Sequence, residues 1–185
     1  MSRQQTTTAQ AAPQSILRAR SSADRLRQRL RLREAPIDVD RAVRALGLRV
    51  VYESLGEDVS GLLIWCPKPA VICVNRDLPE AKQRLVIAHE MGHVYLGHEF
   101  APDQYVHVDR RFDKYRDCIA PGLTEQDLEA NAFAGELVIP TKLLRQAVAD
   151  IGNTELAEEH IQDLAERFDV TVQSMAIRLS RLGLI

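Results

Sequence analysis

The stretch His89-Glu90-Met91-Gly92-His93 decides how the rest of the sequence is interpreted. On a helix, residues four apart lie one turn apart on the same face, so both imidazoles can reach one metal ion. Glu90 is rotated around the helix from that pair, where it can hold a water molecule instead of the metal. This spacing predicts a hydrolytic zinc site, with His89 and His93 as ligands and Glu90 as the general base.

The residues before this motif predict the helix that carries it. Asp77 and Glu80, with Pro79 between them in the first turn, fit a capping box at the start of a helix. Small and apolar residues then follow at helical spacing and form one stripe, namely Ala81, Leu85, Ala88, Gly92 and Leu96. The two histidines extend this stripe, which puts the metal site at the edge of a core.

A second predicted helix offers a third ligand. Thr124 and Asp127 have the spacing of a capping box, and the helix runs to about Val138 before Pro140 ends it. Three glutamates project from one face of this helix: Glu125, Glu129 and Glu136. Helical geometry alone does not choose among them, and His98 is an outside candidate. Mn²⁺ could also occupy a site of two histidines and one carboxylate.

The order of the remaining elements predicts an α+β fold. A helix over 38–45 precedes three short strand candidates at 48–52, 61–65 and 70–75, which suggest a small antiparallel or mixed sheet. Residues 98–122 show no clear period and are expected to form a long loop, and such loops are often functional. Two or three short helices end the chain.

Composition excludes several classes of protein. The chain has 185 residues and a net charge of −2, and no apolar run is long enough to span a bilayer. Its N-terminus lacks the apolar core of a secretory signal. Cys66, Cys73 and Cys118 form no CxxC pair, so we expect buried thiols in a reducing cytoplasm and no disulfide framework.

Charge is distributed unevenly along the chain. Residues 1–34 hold eight arginines against two acids, a net +6, which leaves −8 for the remainder. We expect residues 1–34 to be a basic, partly disordered arm, with a helix from Ser21 or Ser22 to about Glu34. Such an arm could contact the acidic body of a partner, and the charge pattern allows nucleic-acid binding only as an accessory activity.

Two separated motifs resemble the ImmA/IrrE family of zinc metallopeptidases. The HExxH motif is followed by Glu-Ala-Asn-Ala-Phe-Ala-Gly-Glu-Leu-Val-Ile-Pro at 129–140, and 72–75, 84–88 and 164–170 are similar too. The resemblance covers roughly 36–184. It implies a zincin-like fold, a cytoplasmic role, and Glu129 as the third ligand. Members of this family typically cleave a helix-turn-helix repressor and release stress or mobile-element genes, and some relatives are paired with such regulators as toxin–antitoxin-like modules.

The last helices have the hydrophobic spacing of a helix-turn-helix, but residues 150–185 carry seven acids against three arginines. That balance argues against DNA binding and favours packing on the peptidase body. We therefore expect an arm at 1–34, a metallopeptidase core at 35–140 and a packed helical segment at 141–185.

The expected function is cleavage of a regulatory protein by a cytoplasmic zinc endopeptidase. The alternative is a metal-binding regulator that binds a repressor without proteolysis. Catalysis needs a further donor for the oxyanion, and no spacing rule selects among the candidates Tyr95, Tyr105, Tyr115 and His107. The sequence leaves the oligomeric state open.

Overall fold

The computed structural model describes residues 12–65, 69–99, 106–109, 124–152 and 155–185. The helices are α1 (Gln14–Arg29), α2 (Val39–Ala45), α3 (Glu80–Leu96), α4 (Glu125–Val138), α5 (Thr141–Ile151), α6 (Glu158–Phe168) and α7 (Val172–Arg181). The strands are β1 (Arg49–Glu53), β2 (Gly61–Ile64), β3 (Val71–Asn75) and β4 (Val106–Asp109). None of these helices is both long enough and apolar enough to cross a membrane.

The four strands form one mixed sheet in the order β1-β3-β2-β4. β1 runs parallel to β3, and β2 pairs antiparallel with both β3 and β4. The α+β class is thus confirmed, but the expected three-stranded sheet is corrected to four strands. The added strand, β4, lies within the segment 98–122 that was expected to be a loop. Its pairing with β2 places His107 opposite Leu63.

Helix α3 is buried on all sides over its central turns. Every residue from Leu85 to His93 is buried, because α3 packs against the sheet and against α4. This is the burial expected of a central helix, not of a surface helix with one apolar stripe. The capping box expected at Asp77 and Glu80 is absent; Asp77 instead accepts a hydrogen bond from the Ser54 hydroxyl, at 2.5 Å.

A close approach of α3 and α4 depends on Gly92. A Cβ atom at this position would lie 3.1 Å from the Cα atom and 3.2 Å from the carbonyl oxygen of Ala130. Both atoms belong to the α4 backbone and have little freedom to move. Gly92 therefore permits a helix separation that a larger residue would prevent.

Helix α1 packs into the body of the protein. It begins at Gln14, seven residues before Ser21, and buries Ala19, Ala23 and Leu26 in its contact with α4. These three residues are four and three apart, so they form one apolar stripe. The helix expected from Ser21 or Ser22 to about Glu34 is therefore corrected to Gln14–Arg29, and α4 covers its apolar stripe. Residues 1–11 lie outside the described part.

The three C-terminal helices also bury apolar residues, including Phe168, Met175 and Leu179. Arg178 on α7 is buried; its Nε donates to the Ile139 carbonyl at 3.1 Å, and an Nη donates to Glu136 on α4 at 2.5 Å. Breaking such a buried pair is costly because one charge is left unpaired. Arg178 thus anchors the helix-turn-helix-like segment to the end of α4.

Replacing Gly92 with alanine should destabilise the fold by about 1–3 kcal/mol, because the new methyl group overlaps the α4 backbone. Gly135→Ala is the matched control, since a Cβ there would meet only an Arg178 Nη, at 3.9 Å. Alanine has the higher helix propensity, so Gly135→Ala should be neutral or stabilising by up to about 1 kcal/mol. Urea unfolding of both variants provides the measurement, and equal midpoints would contradict the role of Gly92.

Candidate metal centre

The two histidines of the HExxH motif converge on one point. His89 and His93 lie one turn apart on α3, and their Nε2 atoms are 3.1 Å apart. Their exposed fractions are 2% and 0%, so these nitrogens face each other inside the protein. The spacing of the sequence motif therefore produces the predicted convergence.

Two further side chains, from different elements, complete a cluster of four. His107 comes from β4 and Asp127 from the first turn of α4. One potential ligand atom of each residue, together with those of His89 and His93, lies within 4.8 Å of all the others. Asp127 Oδ1 is 3.6 Å from His93 Nε2 and 3.5 Å from His107 Nε2. This set of nitrogen and oxygen atoms could hold a metal ion.

The capping box of α4 fixes the orientation of Asp127. Its Oδ2 accepts hydrogen bonds from the backbone N–H of Thr124 at 2.8 Å and from the Thr124 hydroxyl at 2.9 Å. In return, the backbone N–H of Asp127 donates to the Thr124 hydroxyl. The other oxygen, Oδ1, is thereby directed towards the histidines. The sequence correctly predicts this capping box, but such a box indicates only the start of a helix, so the sequence analysis did not identify Asp127 as a site residue.

The side chain of Glu129 contacts His98. Glu129 Oε2 lies 3.1 Å from His98 Nε2, and His98 Nδ1 lies 2.9 Å from His93 Nδ1. Because a carboxylate only accepts, His98 donates from Nε2, and its Nδ1 must accept from His93. With its Nδ1 donating in this series of hydrogen bonds, His93 keeps the lone pair on Nε2, which is directed at the cluster. Glu129 is not among the four clustered residues, so its role as a ligand stays a prediction from the resemblance.

Asn131 orients the other histidine in the same way. Its Oδ1 lies 2.9 Å from His89 Nδ1 and accepts a hydrogen bond from it. His89 Nε2 is then the nitrogen left to bind an ion. Hydrogen bonds of this kind, from the far side of a ligating imidazole, fix its tautomer and its ring plane.

Glu90 is completely buried next to the first residue of β2. Both of its carboxylate oxygens are enclosed, and its Oε1 lies 3.8 Å from the position that a Cβ on Gly61 would take. That Cβ would also overlap Val86, with only 2.5 Å between the two carbon atoms. Gly61 therefore leaves the space that Glu90 and Val86 occupy. Glu90 is not among the four clustered residues, and its role as general base stays a prediction.

The other candidate ligands are not among the four clustered residues. Glu136 is held by Arg178 and caps α5 through the Thr141 backbone N–H at 2.9 Å, and Glu125 is exposed. His98 contacts the cluster only through His93. Glu136 and His98 thus form hydrogen bonds with groups other than the clustered ligand atoms.

The candidate tyrosines and the cysteines fall into two groups, those that the structure describes and those outside the described residues. The Tyr95 ring packs against Phe133, with centroids 5.4 Å apart. Cys73 is buried, and its pKa is raised by burial and by the nearby charge of Glu53. Four further candidates lie outside the described residues: Tyr105, Tyr115, Cys66 and Cys118.

The protonation states of His93 and Asp127 favour the binding of a cation. Burial and the neighbouring imidazoles lower the pKa of His93 to about 2, so the ring is neutral at physiological pH. Burial acts to raise the pKa of Asp127, but hydrogen bonds from His107 and Thr124 outweigh it and hold the pKa well below its usual range. A neutral imidazole and an ionised carboxylate are the forms that bind metal.

Comparison with known proteins agrees with this geometry. Residues 43–180 match the IrrE N-terminal-like domain of peptidase family M78. The chain belongs to this family. The resemblance noted in the sequence is therefore confirmed, and the match covers the two helices and the sheet that form the cluster.

Two relatives extend the comparison. An uncharacterised immunity region protein of Bacillus phage phi105 is 28% identical over 134 residues, which cover 65% of this chain and 76% of the phage protein. A transcriptional regulator of Mycobacterium tuberculosis has a similar fold, with a TM-score of 0.55, 18% identity and 91% of this chain covered. This chain spans about half of that regulator, 52% of its length.

Substitutions of Asp127 and Glu129 distinguish the two carboxylates as metal ligands. Asp127→Asn keeps an oxygen for the capping box but removes the charge, and we expect it to weaken zinc binding more than about hundredfold. Glu129→Gln should weaken binding only about tenfold, as is typical of a residue that orients a ligand. Competition with a chromophoric chelator measures both affinities. A larger loss for Glu129→Gln would show that Glu129 is the ligand.

Proposed function

We propose that this protein is a zinc-dependent endopeptidase that cleaves a regulatory protein, namely a helix-turn-helix transcriptional repressor. One observation carries the proposal: the Nε2 atoms of His89 and His93 converge to 3.1 Å inside the protein, and Glu90, which follows His89 in the sequence, is buried with them. This is the residue set by which a metallopeptidase hydrolyses a peptide bond. Membership of peptidase family M78 supports the same reaction class.

The donor set fits zinc. Imidazole nitrogen and carboxylate oxygen are usual zinc ligands, and His89, His93 and Asp127 supply both kinds from two packed helices. Mn²⁺ accepts the same donors, so the choice of metal is part of the proposal. When bound, zinc supplies Lewis acidity, which acidifies water and polarises the carbonyl of the substrate.

Glu90 moves the proton in this proposal. One of its carboxylate oxygens accepts a proton from the attacking water, and the same oxygen then donates it to the departing amine. The enclosed position of Glu90 against Gly61 holds the carboxylate in one place during both steps. Asn131 and His98 keep the two histidine rings oriented through hydrogen bonds of 2.9 Å each.

The nature of the substrate is inferred from context. The phage relative is named as an immunity region protein, and the mycobacterial protein with a similar fold is named as a transcriptional regulator. Both names belong to gene regulation. We infer that cleavage in the cytoplasm removes a repressor and so releases stress or mobile-element genes.

The variant Glu90→Gln tests the mechanism. It should keep one equivalent of zinc, because Glu90 is outside the ligand cluster, and lose cleavage of its repressor substrate by at least about hundredfold. Electrophoresis of the repressor and metal analysis of the same samples give both readouts. Cleavage at the wild-type rate by this variant would refute the role of Glu90.

A second candidate function is favoured by His107. With this residue the cluster contains four protein donors, and a zinc site with four protein ligands is typically structural and closed to water. The protein would then be a metal-stabilised regulator that binds a repressor without cutting it, as in a toxin–antitoxin-type pair.

The variant His107→Ala separates these two functions. For a peptidase, three ligands are sufficient, so we expect the variant to retain one equivalent of zinc and its folded state. For a structural site, removal of one ligand should release the metal and lower the midpoint of thermal unfolding. Zinc content and circular dichroism with and without a chelator measure the difference, and loss of both metal and fold would favour the regulator.

A further inference from the structure

A groove with an excess of positive charge runs between α1 and the start of α5. It has a volume of about 1180 Å³. Its charged lining consists of Arg20, Arg27, Arg33, Lys142 and Arg145, with the acids Asp24 and Glu136. Five cations against two acids give the lining a net charge of +3, in a chain whose net charge is −2.

Both acids of the groove are already paired. Asp24 accepts from Arg27 at 2.5 Å, and Glu136 accepts from Arg178 at 2.5 Å. Arg27 also donates to the Leu32 carbonyl at 3.0 Å, which fixes it at the groove wall. The positive charge of the other cations is therefore not neutralised by these carboxylates. Arg33, Lys142 and Arg145 are all exposed. An Nη of Arg145 donates to the Leu182 carbonyl at 3.2 Å, and the guanidinium has further N–H groups with which to bind a ligand.

Apolar surface accompanies this charge. Leu17 on α1 lines the groove and is 50% exposed. Leu143 on α5 lines it too and is partly buried. A ligand with both carboxylates and short apolar side chains would match this lining.

We propose that this groove docks an acidic segment of a partner protein. An extended peptide with several glutamate or aspartate side chains pairs with the exposed cations and covers Leu17. The occupant is a peptide and not nucleic acid because residues 35–185 carry a net −8, and their field repels a long polyanion. A short acidic segment gains the local pairs without bringing a large charge close to the body.

The groove is separate from the metal centre. Glu136 follows Asp127 by nine residues on α4, a distance of about 14 Å along the helix axis. Helix α1 also precedes the span 43–180 that matches the M78 family. The proposal is independent of proteolysis, since docking is measured without turnover. Where a docked partner is also a substrate, the groove raises its effective concentration at the metal centre.

Binding of a labelled peptide tests the proposal on the full chain. The probe is a fluorescein-labelled peptide of alternating glutamate and alanine, about ten residues long, which can span the groove when extended. Fluorescence anisotropy should show saturable binding that weakens as salt rises from about 50 to 200 mM. A peptide of alternating glutamine and alanine should bind at least about tenfold more weakly.

Two triple variants locate the binding site. The groove variant is Arg33→Glu, Lys142→Glu and Arg145→Glu, and it should weaken binding of the glutamate peptide at least about tenfold. The control variant is Arg18→Glu, Arg41→Glu and Arg49→Glu; it changes the net charge equally at exposed positions outside the groove. The affinity of the control variant for the glutamate peptide should stay within about twofold of wild type when both are measured in enough salt to screen the change in net charge. Circular dichroism confirms that both variants are folded.

Three results would overturn the proposal. The first is equal loss of affinity in the groove and control variants, which would mean that only net charge matters. The second is tighter binding of a short DNA duplex that depends on the groove, which would make nucleic acid the occupant. The third is a concentration-dependent dimer that only the groove variant abolishes, which would make a second copy of this chain the occupant.

Discussion

The contact between Gly92 and Ala130 is the constraint on which the metal centre depends. With only 3.1 Å between a Cβ at residue 92 and the Ala130 Cα, α3 and α4 touch through their backbones. His93 follows Gly92 directly, and Asp127 lies three residues before Ala130. The short distance between the two helix backbones therefore brings the side chains of His93 and Asp127 close together. A longer helix distance would keep both residues but pull their ligand atoms apart. The site is therefore a property of helix packing as much as of the HExxH motif.

Orientation of the buried imidazoles is the second requirement, and it is met by polar residues of α4. Asn131 accepts from His89, while Glu129 acts on His93 through His98. Since a buried histidine has two tautomers, these partners decide which nitrogen faces the cluster. One helix thus contributes Asp127 to the cluster and contacts both histidines through Asn131 and, by way of His98, Glu129. Asp127, Glu129 and Asn131 can all reach the histidines because they lie within little more than one turn of the same helix.

Local patterns in the sequence predicted local structure well and distant contacts poorly. The capping box of Thr124 and Asp127 predicted the start of α4, and the apolar spacing before His89 predicted a helix at the position of α3. The pairing of β4 with β2 could not be predicted, because it joins residues over forty positions apart through backbone hydrogen bonds that any sequence can make. The burial of α1 was missed for a similar reason: its arginines suggested solvent, whereas Ala19, Ala23 and Leu26 form the face that α4 covers.

Helix α4 takes part in the cluster, in the contact with Gly92 and in the ion pair with Arg178. Its first turn holds Asp127, its middle packs on Gly92 and α1, and its last turn holds Glu136 against Arg178 of α7. A segment bound between α1 and α5 would lie against the last turn of α4, whose first turn carries Asp127. The proposed groove and the candidate metal centre therefore share one helix and lie about 14 Å apart along its axis.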